Sequence, residues 1–342
     1  MFHYARAFGH LVVSFARVPT LVLIYLHMVF FALCLRPTAV PSAVGIVAAL
    51  ACMAGCYINA TAVNDLTDEA TDAINLADDP SRPLIAGSGS RRQVMTVAIL
   101  AAVVCLAAAL VVSVWLVAVA GVMLILNVIY SVPPLRISGR GAIAQALLPL
   151  EYCAFPALVV VGLTGRPVDI PFALVVTSMW LIFTGRLFLK DIRDEAGDTA
   201  TGKRTFTVRH GSHQAIVQSA IWTASGTIAL SVVMFICYDA NPWFVFGFCL
   251  MSVSGQLIGL RQCDYADRLP VKLAYMGVYG RWISLKIFFY VVLMGLAMSH
   301  VSLATELIIL AATTIMVVSN IVMLYQNIAA RLAVTSQTGA PR

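Results

Sequence analysis

The chain has 342 residues, of which 61% are apolar and only 11% charged, with a formal net charge of +6 and a mean hydropathy of +0.91. A soluble globular chain carries about 25% charged residues, so this composition excludes a soluble domain and predicts an integral membrane protein. No tract interleaves basic and aromatic residues, which argues against a nucleic-acid partner.

Ten apolar segments are predicted, near residues 19–35, 41–63, 93–112, 113–130, 142–163, 171–190, 214–237, 243–260, 278–298 and 303–326. Each approaches the roughly 20 residues that a helix needs to cross the hydrocarbon core. The segments are continuous rather than alternating, which predicts helices and not a barrel. The expected fold is therefore all-α: one integral membrane domain over 1–342, a polytopic bundle of nine or ten helices, with a short tail at 335–342. No cleavable signal peptide is expected. If the segments alternate in direction, one side collects all of the 22 basic residues except Arg36 and Arg166. The positive-inside rule makes that side cytoplasmic, in a cell membrane, with the N-terminus and the acidic motifs on it.

The first acidic motif follows the second segment: Asn64-Asp65-Leu-Thr-Asp68-Glu-Ala-Thr-Asp72-Ala-Ile-Asn75, then Ser81-Arg82-Pro83-Leu84. Asp65, Asp68 and Asp72 at i, i+3 and i+7 share one face of a helix. The second follows the sixth segment: Arg186-Leu-Phe-Leu-Lys190-Asp191-Ile-Arg193-Asp194-Glu-Ala-Gly197-Asp198, then Gly202-Lys203-Arg204-Thr205. Asp191, Asp194 and Asp198 repeat the same offsets. A carboxylate at a membrane boundary is costly unless compensated, and hard cations such as Mg²⁺ take oxygen ligands with phosphate oxygens completing the shell. Two matching sets therefore suggest divalent metal sites that hold a diphosphate between them. Asn64 suits a phosphate oxygen, Arg82 supplies a planar fork for phosphate, and Lys190, one turn before Asp194, is placed to meet the same anion.

The intervening stretch Tyr130-Ser131-Val-Pro133-Pro134-Leu-Arg136 ends the fourth segment, because prolines stop a helix. Glu151, adjacent to Tyr152 inside the fifth segment, is a functional candidate by its depth; its structural alternative is a carboxyl bonded to a neighbouring helix. Asn59, Asn127 and Gln145 read as interhelical hydrogen-bonding residues, and His27 as a packed neutral imidazole. Arg36, Arg166 and Lys286 read as snorkelling side chains. The eight cysteines (Cys34, Cys52, Cys56, Cys105, Cys153, Cys237, Cys249, Cys263) read as small packing residues.

On these motifs the chain resembles the UbiA superfamily of intramembrane prenyltransferases over at least residues 12–260. Asn64–Asp72 matches the family's Asn-Asp-x-x-Asp-x-x-x-Asp, and Lys190–Asp198 its Lys-Asp-x-x-Asp-x-x-Gly-Asp. Tyr130–Arg136 is a third family-like stretch. The family usually has nine helices, against ten here, and many members carry tyrosine where Arg186 stands. The resemblance implies a bundle around a central cavity, with Mg²⁺ bridging Asp65, Asp68, Asp72, Asp191, Asp194 and Asp198 to an isoprenyl diphosphate whose tail lies in lipid. It implies catalytic roles for Asp68, Asp72, Asp194 and Asp198. Asn64, Arg82, Arg136, Lys190 and Arg204 would bind substrate. Glu151, a candidate by its depth rather than by the resemblance, is expected to be catalytic, accepting a proton from the acceptor or hydrogen-bonding its polar group. The expected reaction is prenyl transfer to a hydrophobic acceptor, most simply an aromatic or quinone precursor. A terpene cyclase on the same scaffold, which uses the cation without an acceptor, is the second reading. A transporter is disfavoured because the carboxylates gather at one rim rather than at the midplane.

Overall fold

The computed structural model describes residues 2–37, 39–76 and 82–265. The described residues are helical, with no strand among them, in the order α1 (Phe2–Ala16), α2 (Val18–Leu35), α3 (Ala43–Asn75), α4 (Arg91–Val112), α5 (Val114–Ser131), α6 (Ala142–Leu147), α7 (Phe155–Thr164), α8 (Ile170–Ala200), α9 (Phe206–Cys237) and α10 (Pro242–Tyr265). Among the described residues, seven spans are long and apolar enough to cross a membrane, by length and composition: α2, α3, α4, α5, the stretch Ala142–Thr164, α8 and α9. The eighth expected segment lies on α10. The expected segments 278–298 and 303–326, with Lys286 and the 335–342 tail, lie outside the described residues.

Two compact units divide these residues: 2–176 with 193–211, and 177–192 with 212–265. Helix α8 contributes to both.

Polar residues punctuate the first unit where the chain must turn. The Ser42 hydroxyl accepts from the Gly45 amide at 3.1 Å to start α3. Ser90 and Gln93 form a capping box at α4, each satisfying an amide that helix geometry leaves orphaned. Ser113, fully extended at φ −169°, separates α4 from α5. Asp169 caps α8 by accepting from the Phe172 amide at 2.8 Å.

Lengths decide where the acids sit. At 1.5 Å per residue the 33 residues of α3 span about 50 Å, well beyond the roughly 30 Å hydrocarbon core. The apolar window ends near residue 63, but the helix continues to Asn75, and its last turns carry Asp65, Asp68 and Asp72 past the apolar region. Helix α8 behaves alike: the apolar window ends at 190 and the helix continues to Ala200.

Helix α1 has no counterpart among the expected segments. Its Leu11 and Phe15 pack with Ala62, Leu66, Val94, Val97 and Ala98 of α3 and α4, which fastens the chain end beneath the acidic turns of α3. Asn59 donates to the Ala98 carbonyl at 3.0 Å and Asn127 to the Asn59 side-chain oxygen at 3.2 Å. Both residues thus serve the interhelical bonding expected of them. Cys52 and Cys105 meet at 3.9 Å between sulfurs, and none of the eight cysteines is in a disulfide.

In the second unit α8 and α9 approach backbone to backbone. A Cβ on Gly226 would lie 2.7 Å from the Ser178 carbonyl oxygen and 2.7 Å from the Ile182 nitrogen, and Gly185 is likewise pressed against Ser219 and Thr223. Small residues at such crossings replace the hydrophobic driving force that lipid removes. Gly226→Ala is expected to cost about 1–3 kcal/mol, read as a lower midpoint of thermal unfolding in detergent.

Candidate active site

The acidic end of α3 is the centre of the site. Asp65 and Asp68 are buried there, with Asp72 one turn further on and partly covered. A carboxylate held this far from water needs compensation, and the first unit supplies four cations from four separate places in the chain.

Arg17, at the break between α1 and α2, reaches Asp65 Oδ1 with Nη2 at 2.9 Å. Arg82 sits between two acids, its Nη1 bonded to Asp65 Oδ1 and 3.0 Å from Asp72 Oδ2. Arg136, in the turn after α5, donates to Asp68 Oδ1 at 2.8 Å. Lys203, beyond the end of α8, donates to Asp68 Oδ2 at 2.9 Å and lies 3.8 Å from Asp198 Oδ1. Asn64 completes Asp68 by donating to Oδ2 at 2.7 Å. Two of these arginines carry backbone strain: Arg17 has φ 38° and Arg136 φ 34°. Non-glycine residues are held in that region only where their surroundings over-determine them, and such residues cluster at functional sites. Both deliver a guanidinium to an aspartate.

The two motifs are also tied through neutral groups. Asn75 donates to the Asp194 carbonyl at 2.9 Å and accepts from the Gly197 amide at 2.7 Å, while the Thr71 and Thr201 hydroxyls share a bond of 2.9 Å. A Cβ on Gly197 would fall 2.6 Å from the Asn75 amide nitrogen and displace that side chain from its bonds. Asn75→Ala and Gly197→Ala are each expected to lower stability by about 1–3 kcal/mol, measured as a reduced unfolding midpoint of the purified protein.

Of the residues expected from sequence, Asn64, Asp65, Asp68, Asp72, Arg82, Arg136 and Asp198 come together in this cluster. Asp194 is near it through its backbone, while its carboxylate is gripped by Arg193 at 2.7 Å. Lys190, exposed, and Asp191, half-buried, belong to the second unit. Arg204 is exposed, and its backbone carbonyl accepts from Arg209 at 2.8 Å; the neighbouring Lys203 is the cation that reaches the acids. Glu151 is buried on a π-helical turn, Leu150–Ala154, and makes no ion pair with the cluster. Arg17, Asn75 and Lys203 had no sequence assignment. Lys203 alone had a signal, the basic run after the second motif.

The cluster is chemically suited to a hard divalent cation. Its donors are carboxylate oxygens, the set Mg²⁺ prefers, and Asp198 Oδ1 is buried without a hydrogen bond, its nearest cation being Lys203 at 3.8 Å. Among the described residues no three acidic, histidine or cysteine side chains converge as a ligand shell; the acids face arginine and lysine instead. Four carboxylates against four cations leave the cluster close to neutral, so a metal entering it would exchange with ion pairs already formed.

Residues 25–268 match the family model described as the UbiA prenyltransferase family. A chloroplastic chlorophyll synthase of Oryza sativa subsp. japonica is 29% identical over 225 residues, which are 61% of this chain and 55% of that protein. The chain thus spans about half the length of the curated relative it matches. The fold is similar to that of a UbiA homolog from Archaeoglobus fulgidus solved with DMAPP and Mg²⁺, at 18% identity and a TM-score of 0.59 over 82% of this chain and 98% of that one. A second structure of an Archaeoglobus fulgidus UbiA homolog, bound to GPP and Mg²⁺, gives 18% identity and a TM-score of 0.55 over 82% and 99%.

Proposed function

Because the chain belongs to the UbiA prenyltransferase family, we propose that it transfers an isoprenyl group from a polyprenyl diphosphate to a hydrophobic acceptor. The acceptor we assign is an aromatic or quinone-forming ring. The observation that carries this reading is the Lys203 bridge, which joins Asp68 of the first motif to Asp198 of the second at 2.9 and 3.8 Å. An anion-binding set and a carboxylate set are thereby interleaved, as a diphosphate with its counter-cations requires. The relatives solved with DMAPP or GPP and Mg²⁺ support the same ligands.

In the proposed reaction the allylic C–O bond breaks and its electron pair leaves on the diphosphate. An acceptor carbon supplies the pair for the new C–C bond, and the proton on that carbon is then lost. Arg17, Arg82, Arg136 and Lys203 stabilise the leaving charge as fixed cations, with Asn64 donating to a phosphate oxygen. Asp65, Asp68, Asp72, Asp191, Asp194 and Asp198 would hold Mg²⁺. When bound, that ion supplies Lewis acidity toward the phosphate oxygens. Glu151 is assigned to the acceptor. The surrounding apolar helices exclude water from the allylic cation. The basic-side argument orients the site toward the cytoplasm, so that the diphosphate enters from water while its tail remains in lipid.

The test is product analysis with purified protein, Mg²⁺ and labelled C10 to C20 prenyl diphosphates, with and without aromatic acceptors. Labelled adduct formed only with an acceptor is expected. Hydrocarbon or terpene alcohol formed equally well without one would overturn transfer in favour of cyclisation.

A further inference from the structure

Lys203 occupies the place where the two acidic motifs meet. Its Nζ donates to Asp68 Oδ2 at 2.9 Å and lies 3.8 Å from Asp198 Oδ1, with 9% of the lysine side chain exposed. Asp198 Oδ1 is itself buried and accepts no hydrogen bond. The other oxygen of Asp68 accepts from Arg136 at 2.8 Å, so both of its oxygens already face a cation. Asp65 and Asp72 each give an oxygen to Arg82, and Asp65 also meets Arg17. Every aspartate of the first motif therefore has a protein cation on at least one carboxylate oxygen.

These cations differ in how freely they can leave. Arg17 and Arg136 branch from strained backbone, at φ 38° and 34°, and a guanidinium holds its donors in one rigid fork. Lys203 instead carries its charge on a flexible four-carbon stem with rotatable donors. Its backbone is fixed, because the Lys203 amide donates to the Asp198 carbonyl at 2.8 Å and Gly202, at φ 73°, makes the turn before it. The stem passes close to Gly139, where a Cβ would fall 3.2 Å from Lys203 Cγ. A change of side-chain rotamer can thus move Nζ off the acids while the loop stays in place.

We propose that Lys203 gates the metal site: it covers the Asp68 and Asp198 oxygens until a diphosphate draws it away, so that a divalent cation binds together with the diphosphate and not ahead of it. The inference rests on the prenyl-transfer reading above. A divalent cation approaching alone would share Asp68 with an ammonium and a guanidinium. These are like charges in a site largely closed to water, where repulsion is little screened. A diphosphate alters that balance. Its oxygens accept from Lys203 in place of Asp68, and the carboxylates so released are desolvated acids in need of a new cation. Metal and diphosphate then each raise the affinity for the other by the same factor.

The experiment uses the full-length purified protein in detergent, with Mn²⁺ as the metal and free Mn²⁺ read from its paramagnetic resonance signal. The second ligand is geranyl S-thiolodiphosphate, whose sulfur leaving group slows ionisation, and protein-free samples correct for the metal it chelates. Wild-type protein should bind Mn²⁺ about ten- to a hundredfold more tightly with the thiolodiphosphate than without it. Lys203→Met should bind Mn²⁺ alone about tenfold or more tightly than wild type does, and adding Asp68→Asn to that variant should remove the gain. Lys203→Arg, which keeps the charge, should exclude Mn²⁺ alone as wild type does. A gained metal site is not what a merely structural lysine would give on removal. Wild-type binding of Mn²⁺ that is equally tight with and without the thiolodiphosphate overturns the inference alone, whether or not the variants fold. So does the absence of any gain in a Lys203→Met protein that still unfolds cooperatively. Wild-type protein that takes up neither Mn²⁺ nor the thiolodiphosphate, singly or together, overturns the prenyl diphosphate reading itself.

Discussion

Asp68→Asn is expected to reduce kcat/KM for the prenyl diphosphate by about 10²–10³-fold, the loss seen when one preorganised electrostatic group is removed from an active site. Asp68 is where the cluster converges: Arg136 holds one of its oxygens at 2.8 Å, and Lys203 and Asn64 hold the other at 2.9 and 2.7 Å. The substitution preserves shape and removes one charge, leaving two partly buried cations, Arg136 and Lys203, sharing fewer acids. Removing one member of such a group costs more than the pair was worth, because the remaining charge stays desolvated. Steady-state kinetics at saturating Mg²⁺ would read the loss, and a variant that retains wild-type kcat/KM would remove Asp68 from the mechanism.

The second large effect separates two adjacent residues. Lys203→Met is expected to cost about 10²-fold in kcat/KM, whereas Arg204→Met should change it by less than about threefold, as an exposed charge does. Lys203 is the cation that joins the two motifs, and methionine keeps the stem that packs against the site while deleting its charge. Arg204 is exposed, with only its backbone carbonyl engaged, by Arg209. Parallel kinetics of the two variants would check this, and equal losses would mean that the diphosphate lies toward the loop rather than between the acids.

Local periodicity explains why part of this site was legible in sequence and part was not. Asp65, Asp68 and Asp72 reveal themselves through i, i+3 and i+7 spacing, because a single helix fixes their relative positions. Arg17 and Lys203 stand outside any such repeat. They reach the acids through a left-handed residue between two helices and through a loop after α8, geometries that leave no periodic mark. Asn75 closes the first motif by sequence, but its partner Gly197 is a long-range contact. The expectation that Arg204 binds substrate followed from charge alone, and one residue of register in a loop decides which of two neighbouring cations faces inward.

The helices divide in the same way. The apolar windows at 19–35 and 93–112 lie within two residues of α2 and α4, because uninterrupted apolar runs have one solution in lipid. Helix α1 was hidden because His3, Arg6 and His10 dilute its hydropathy. The fifth window was expected as one helix, and Pro149 and Pro156 instead flank a π turn that separates α6 from α7. That irregularity is what presents Glu151. Helices α3 and α8 run past their windows because amphipathic acidic turns remain helical once outside the hydrocarbon, where hydropathy no longer follows them.

The central claim is that carboxylates from the two motifs together hold a prenyl diphosphate through a divalent cation. Calorimetric titration of geranyl diphosphate into the purified protein, in Mg²⁺ and then in EDTA, tests it most directly when repeated with the Asp68→Asn/Asp198→Asn double variant. Saturable binding that requires Mg²⁺ and is lost in the double variant is the predicted result. Binding of equal affinity in EDTA, or in the double variant, would contradict the claim.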